Sequence, residues 1–374
     1  MTDITVVRSL EAFIALGAEW DGLAAPRGWP LLAHDWFLSC ARTLHAERDL
    51  RVVIVREHGV LAAAAPLVIR RQRGVERLEL LGMAVLHEPS GLLYRSEAAL
   101  ETLLRAVLTL GRPVVLQRID LDSPLERLIR QVVGRNGWTL ARPTGPTVRV
   151  PLEADWSIMV GRVSGKLRKW QRRAWALAEA QGPVTVEKVV PDLENVEAHV
   201  RAFSQLEAAG WKGRRRSALL TKQALHVFFG DYARRAAARG TLRVWYLRIG
   251  AALAAAQISL EENGAVWVLK IAYDERLRHL SPGFQLTFAM LKDACERGLG
   301  TCEFLGSADD WKRRWRGSLQ PLGLVLVYPR SWRGLAALGV DGAAHAANAA
   351  ARRIREVTAA PRAEASSAGE GESA

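Results

Sequence analysis

Cysteine is scarce in this chain of 374 residues: there are three, Cys40, Cys295 and Cys302. None forms a CxxC pair and no histidine lies near them at ligand spacing, so neither a disulfide framework nor a zinc site is indicated, and a reducing cytosol is the default compartment. No histidine base stands beside Cys295 or Cys302, which argues against a thiol nucleophile. Long apolar runs are also missing. The longest, Leu61–Ile69, falls far short of the ~20 residues a membrane helix needs. The first residues, Met1-Thr-Asp-Ile-Thr, carry Asp3 and lack the basic-then-apolar profile of a secretion signal. There is no Gly-x-Ser-x-Gly elbow, no Walker A loop, and no zinc-finger or helix-turn-helix pattern, so specific DNA binding has no support.

Acidic charge is the next deficit. Asp and Glu total 39 against 52 Lys and Arg, a net charge of +13. Such a field favours an anionic partner: phosphates, nucleic acid or an acidic membrane surface. Few of the cations are lysine, and GC-rich coding also produces an arginine excess. Apolar residues make up 49% and charged residues 24%, enough for a sizeable core, and the length suits two domains plus an appendage. Tyrosine (5) and phenylalanine (8) are sparse beside 13 tryptophans, so most indoles must serve as core or pocket wall. From about Ser331 the chain is Ala-rich, with its charges in balance. It reads as a weak helix and then, from about Ala359, a disordered tail.

Two segments repeat. Arg51–Val68 aligns without gaps on Arg243–Leu260, identical at seven of eighteen positions, including Leu61–Ala64 against Leu253–Ala256. Each copy reads as a hairpin, an apolar strand turning at Gly59 or Gly250 into a strand of small residues. Helical spacing recurs at Leu10–Glu19, Trp36–Leu44, Glu97–Leu110 and Pro124–Asn136, then at Gly161–Glu179, Leu193–Ala208, Thr221–Arg239 and Gly283–Arg297. Strands are expected at Val114–Asp120, Thr139–Ala141, Val184–Val189, Ala265–Ala272, Thr301–Phe304 and Leu322–Tyr328. The pattern is α+β, helices flanking mainly antiparallel sheet.

Chemistry concentrates in Ala272-Tyr-Asp-Glu-Arg-Leu-Arg-His-Leu-Ser-Pro-Gly-Phe. A strand ends at Tyr273-Asp274 and Pro282-Gly283 opens a helix, whose bare N–H groups and positive dipole end would suit a pyrophosphate. Arg276 and Arg278 could pair with further phosphate charge, and Ser281 and Gly283 are small enough for close backbone approach. Ordinary helix capping is the other reading. A second constellation is the segment Gly161–Trp175, in which Arg162, Lys166, Lys169 and Arg173 share one stripe and Val163, Leu167, Trp170, Ala174 and Leu177 the next. It is a basic amphipathic helix, either packed with a solvated basic face or facing an anionic substrate, CoA or anionic lipid.

Arg278-x-x-Ser281-x-Gly283 resembles the acetyl-CoA loop Gln/Arg-x-x-Gly-x-Gly/Ala of the GNAT acyltransferase superfamily, with Ser for the first Gly, and the element order around it is GNAT order. Glu207-Ala-Ala-Gly-Trp211-Lys212-Gly213 is similar to the Glu…Trp-Lys-Gly motif of the CelD-type, BioF-associated acyltransferases, a branch close to the FemAB peptidyl transferases. Tyr273-Asp274…Ser281-Pro282-Gly283 and Glu303-Phe-Leu-Gly306…Asp310-Trp-Lys312-Arg-Arg-Trp315 resemble two further elements of that family, with Glu303 in place of Asp and Trp311 in place of Tyr. Trp20, Pro30, Trp36 and Pro66-Leu67 also fit its N-terminal half. The likeness spans about residues 15–328.

The resemblance implies tandem GNAT-like domains, each a mainly antiparallel twisted sheet flanked by helices. The expected division is a degenerate copy at 1–150, an acyl-CoA-binding copy at 151–330 and a tail at 331–374. It implies an acyl-CoA-dependent N-acyltransferase that works by direct transfer to an amine and needs no metal. Arg278, Ser281, Pro282 and Gly283 would bind the cofactor. Glu207 would be the base and Tyr273 the proton donor to the thiolate; a solvated helix Glu is the plainer reading of Glu207. Trp211, Lys212, Lys270, Asp274 and Lys312 would face the substrate, although Lys212 and Lys270 equally suit a solvated surface. The alternatives are acylation of a long-chain, sphingoid-type amine with peripheral contact to an anionic inner-membrane face, or FemAB-like transfer from aminoacyl-tRNA. The location implied is cytoplasmic.

Overall fold

The computed structural model describes residues 1–210 and 218–359, which form two sheets. One runs β1 (Thr2–Val7), β2 (Leu50–Glu57), β3 (Val60–Gln72), β4 (Val75–Leu80), β6 (Val114–Asp120), β15 (Leu322–Pro329), β7 (Gly137–Pro143), with the short β5 (Leu93–Tyr94) beside β3. The other runs β9 (Val184–Val189), β10 (Leu242–Ile249), β11 (Ala252–Glu262), β12 (Ala265–Tyr273), β13 (Thr301–Glu303), β8 (Thr147–Pro151), β14 (Ser318–Gln320). All pairs are antiparallel except β4–β6 and β12–β13. The apolar run at Leu61–Val68 is the interior of β3 and is wholly buried; among the described residues no helix is long and apolar enough to cross a membrane.

The repeat is structural. Leu50 opposes Val68 in the first hairpin and Leu242 opposes Leu260 in the second. Both hairpins carry their register shift at the same place, between Val55 and Arg56 and between Leu247 and Arg248. The preceding strands also match, Val7 against Val52 and Val189 against Val244. A sheet whose pairing is set by turn and side-chain alternation keeps its register when the turn is kept.

The strand order links the two halves across residues 150 and 330. β8 begins at Thr147 and follows β7 in the chain, yet lies between β13 and β14 of the second sheet; β15 follows β14, yet lies between β6 and β7 of the first. The halves thus exchange their equivalent strands. The physical reason lies in β15 itself: Leu322–Tyr328 is buried throughout, so it needs a neighbour on each edge and cover on each face. The described part of the stretch after 331 is helical and packed. Helix α13 (Trp332–Ala359) packs on β15 and β4, and its Asp341 takes a two-pronged ion pair from the buried Arg77 at 2.6 and 2.9 Å and the Tyr328 hydroxyl at 2.8 Å.

The halves meet through equivalent helices. α3 (His34–Thr43) lies against α10 (Gln223–Ala238), with Trp36 edge-on to Phe228 and Tyr232 at 5.1 and 4.9 Å. The Ser39 hydroxyl donates to Asp231 at 2.6 Å, and Arg235 and Arg239 both pair with Asp35. A single apolar cluster runs from Trp20 and Phe37 in the first half to Phe203 and Phe228 in the second. Burial of aromatic rings in such edge contacts adds roughly 0.5–1.5 kcal/mol per pair beyond area.

Candidate active site

The second sheet opens where β12 leaves β13. Their parallel pairing covers only Ala265–Trp267 against Thr301–Glu303, so β12 from Val268 to Tyr273 has no strand partner on that edge among the described residues. A bulge adds to the opening: Ile258 faces Lys270 while Ser259 faces Val268, leaving Leu269 as the extra residue. Bulges bend a strand and re-aim its side chains. Leu269 and Lys270 consequently follow one another on the face toward α10, where the Lys270 ammonium stands 5.1 Å from the Phe229 ring centre. Tyr273 and Ile271 turn to the opposite face, against the helix that follows.

That helix, α11 (Pro282–Glu296), begins where the loop Glu275–Leu280 ends. Asp274 organises the loop. Its carboxylate accepts from the Arg276 backbone N–H at 3.0 Å and pairs with the Arg276 guanidinium at 2.6 Å; these hydrogen bonds hold its pKa below the usual carboxylate range. Asp274 therefore caps the loop rather than standing open to a substrate. Arg278 is exposed on the same loop.

Ser281 sits in the left-handed region (φ 52°, ψ 49°) and its side chain makes no capping bond. Pro282 at the first helical position lacks an N–H, and the Phe284 and Gln285 N–H groups reach back to the Ser281 carbonyl at 3.0 and 3.1 Å. No acidic residue stands in the first turn. Gly283 allows close approach: a Cβ there would lie 3.4 Å from the Tyr273 ring and 3.7 Å from Ile271. This helix end is positive, uncapped by its own side chains, and placed at the end of the open strand.

Glu207 lies at the end of α9 (Val196–Ala209) and is buried, 4% exposed. Its Oε2 accepts the Leu219 N–H at 2.8 Å. The helix end adjoins β12: a Cβ on Gly210 would be 3.7 Å from the Tyr273 carbonyl oxygen. The segment that follows, with Trp211 and Lys212, lies outside the described residues. Lys312, in the short helix α12 (Asp310–Arg313), is also buried, and its ammonium donates to the Leu305 and Ser307 carbonyls, both at 2.8 Å. It holds the loop after β13 in place. The structure thus brings Tyr273, Ser281, Pro282 and Gly283 together, sets Glu207 near the same strand end, and gives Asp274 and Lys312 to the two flanking loops.

Some groups at this site had no signal in the sequence. Arg118, on β6 of the first half, is buried at φ 57° and donates to the Gly306 and Gly145 carbonyls, while Glu88 accepts the Gly306 N–H at 2.8 Å. Burial lowers the Arg118 pKa and the neighbouring Glu88 raises it. Arg149 of β8 pairs with the buried Glu303, whose pKa is raised by burial and drawn back by that guanidinium. The basic helix starts later than expected: Arg162 ends α7 (Trp156–Arg162), and α8 (Gly165–Glu179) starts under a Ser164 cap. The four-residue stripe is therefore split between two helices.

Residues 165–313 match the family model described as "Acetyltransferase (GNAT) domain". Over this span the chain is similar to GNAT acetyltransferase domains. The matched residues run from the start of α8 through α9, the open strand β12 and α11 to α12, so the matched span contains the whole helix end described above. No curated protein matches the sequence. Among solved structures, FemX superposes with a TM-score of 0.58 at 14% identity, covering 83% of this chain and 95% of that one. A tandem GNAT protein from the clavulanic acid biosynthesis pathway gives 0.50 at 13% identity, over 88% and 99% of the two chains. L-PGS from Bacillus licheniformis gives 0.51 at 13%, over 85% and 92%. These likenesses establish the architecture as tandem GNAT-like and α+β. Among the described residues no cluster of three or more His, Cys, Asp or Glu is arranged to hold a metal.

Proposed function

We propose that the enzyme is an acyl-CoA-dependent N-acyltransferase whose second half holds the thioester and passes its acyl group directly to an amine. The observation that carries this reading is the N-terminus of α11, with Ser281 left-handed, no side-chain cap and no acid in its first turn, at the end of a strand open along one edge. A pyrophosphate would sit on that turn with Arg278 beside it, and the pantetheine would run into the gap between β12 and β13. The amine, relieved of its proton by Glu207 directly or through water, adds to the thioester carbonyl. The C–S bond then breaks and the thiolate leaves with a proton from Tyr273. Lys270, Trp211 and Lys212 would face the acceptor, while Asp274 and Lys312 act through the loops they hold. The acceptor is a polar amine in this reading. A long-chain amine at an anionic membrane surface is its alternative.

Calorimetric titration of the full chain with a CoA thioester tests the donor, and saturable binding is expected. Absence of binding overturns the reading and turns attention to aminoacyl-tRNA, which the net charge of +13 would also suit. Glu207→Gln keeps an acceptor for the Leu219 N–H, so donor affinity should hold within about twofold while turnover drops about a hundredfold. Unchanged turnover would remove Glu207 from the reaction.

A further inference from the structure

Between the start of α8 and the turn after α12 lies a groove of about 440 Å³ lined by Ser164, Lys166, Leu167, Trp170, Arg313, Arg314 and Arg316. Four of its seven lining residues are cations and none is acidic. Arg313 donates to the Ala308 carbonyl at 2.7 Å; Lys166, Arg314 and Arg316 form no ion pair among the described residues. Arg316 holds a left-handed backbone, φ 53°, which directs the chain around the buried Trp315. Like charges gathered in one concavity repel one another, and an anion seated among them removes that cost.

The groove is one aromatic layer from the donor helix. Trp170, in its wall, packs edge-on against Phe284 of the first turn of α11, ring centres 5.0 Å apart, and Phe284 stacks on Trp315 at 5.0 Å and 13°. α8 is fastened to α11 a turn further on, where the side-chain amides of Gln171 and Gln285 meet at 2.9 Å and the Gln285 amide donates to the Gln171 carbonyl at 3.0 Å. The cations therefore stand at a fixed place beside the helix end.

We infer that this groove is a second anion site for the same donor, taking the phosphomonoester on its nucleotide ribose while the Trp170 ring offers a flat wall to the base. The inference rests on the acyl-CoA reading above. Four cations gathered around one groove next to the pyrophosphate position suit a compact dianion.

The test compares CoA with 3′-dephospho-CoA by calorimetry, using the full chain and the double variant Lys166→Ala, Arg314→Ala, which leaves the unusual backbone of Arg316 alone. The wild-type chain should bind CoA about tenfold more tightly than the dephospho form, the size of one well-formed charge-assisted contact. The double variant should lose that preference and keep its affinity for 3′-dephospho-CoA within about twofold; Arg314→Lys should restore much of the gap in a Lys166 background. Equal binding of both ligands by the wild type overturns the inference and leaves the acyl-CoA reading standing. A uniform loss for both ligands in the double variant also overturns it. Failure of the wild type to bind either ligand sinks the acyl-CoA reading itself. Selective loss of bulk tRNA retention by the variant in a gel shift, with the two CoA forms bound alike, gives the groove to nucleic acid instead.

Discussion

The two halves share one plan and differ where the donor would sit. In the second half β12 runs on past its bulge, so Tyr273 and Ala272 pair with Ala255 and Ala256. In the first half β4 stops at Leu80, the chain leaves the sheet, and β5 returns to put Tyr94 and Leu93 against the equivalent alanines, Ala63 and Ala64. Tyr94 thus occupies the place of Tyr273. After Tyr273 the loop Asp274–Ser281 leads to an uncapped helix; after Tyr94 only Arg95 and Ser96 precede α5 (Glu97–Thr109). Ser96 caps α5 through the Ala99 N–H at 3.1 Å, Glu97 stands in its first turn, and Arg95 is spent on the Leu61 carbonyl at 3.0 Å. A helix end that carries its own cap and carboxylate has no use for an external anion. The lesson is that a duplicated fold keeps its sheet registers more readily than its ligand loops, because registers hold the core and loops do not.

The largest test breaks the exchange between the halves. A chain ending after Gln320 lacks β15 and α13, so β6 and β7 are left with bare edges in mid-sheet. The first half should then show no cooperative melting by circular dichroism; an unchanged transition would show that the halves fold independently. Next comes the tie to α13. Asp341→Ala strands the buried Arg77, 1% exposed, and should cost about 3 kcal/mol in urea unfolding. Combining it with Arg77→Met should recover most of that loss, since a buried pair replaced by apolar groups is close to neutral.

A smaller pair of substitutions addresses the two helix ends directly. Arg278→Glu should weaken CoA-thioester binding about tenfold in calorimetry without moving the melting temperature. Glu97→Gln at the equivalent helix of the first half should change donor affinity less than twofold; a large effect there would give the first half a donor role. The smallest effect separates the halves by pH. His45, beside β4, accepts the Gly82 N–H at 3.1 Å, and burial together with the charge of Arg70 lowers its pKa from 6.5 to about 4. As pH falls from 6.5 to 4 the unfolded chain binds this proton first, so the stability held by neutral His45 is complete above the window and drains away within it. His45→Gln should flatten the slope of melting temperature against pH across that range.

Much of this was readable from local pattern. The hairpin repeat, the Pro-Gly helix start and the strand ending at Tyr273 each depend on a few adjacent residues, and all appear where spacing placed them. The single helix expected over Gly161–Glu179 failed at Ser164, a residue that fits a helix interior poorly and caps well. Asp274 and Lys312 were singled out from motif position, yet each spends its charge on its own loop. Arg118 carried no signal at all, because its partner Gly306 lies in the other half of the chain.

What the sequence determined by itself is local: which segments are strands, where the two hairpins turn, which helix begins without an acid. Such features follow from side-chain alternation and backbone preference over a handful of residues. Tertiary structure decided the rest. The fully apolar Leu322–Tyr328 announces burial on both faces but not against which sheet, and its place between β6 and β7 was settled only when the halves packed together. The groove of Lys166, Trp170, Arg314 and Arg316 likewise joins segments far apart in the chain. Burial is a property a residue can advertise; the identity of its neighbour is one that only the folded chain supplies.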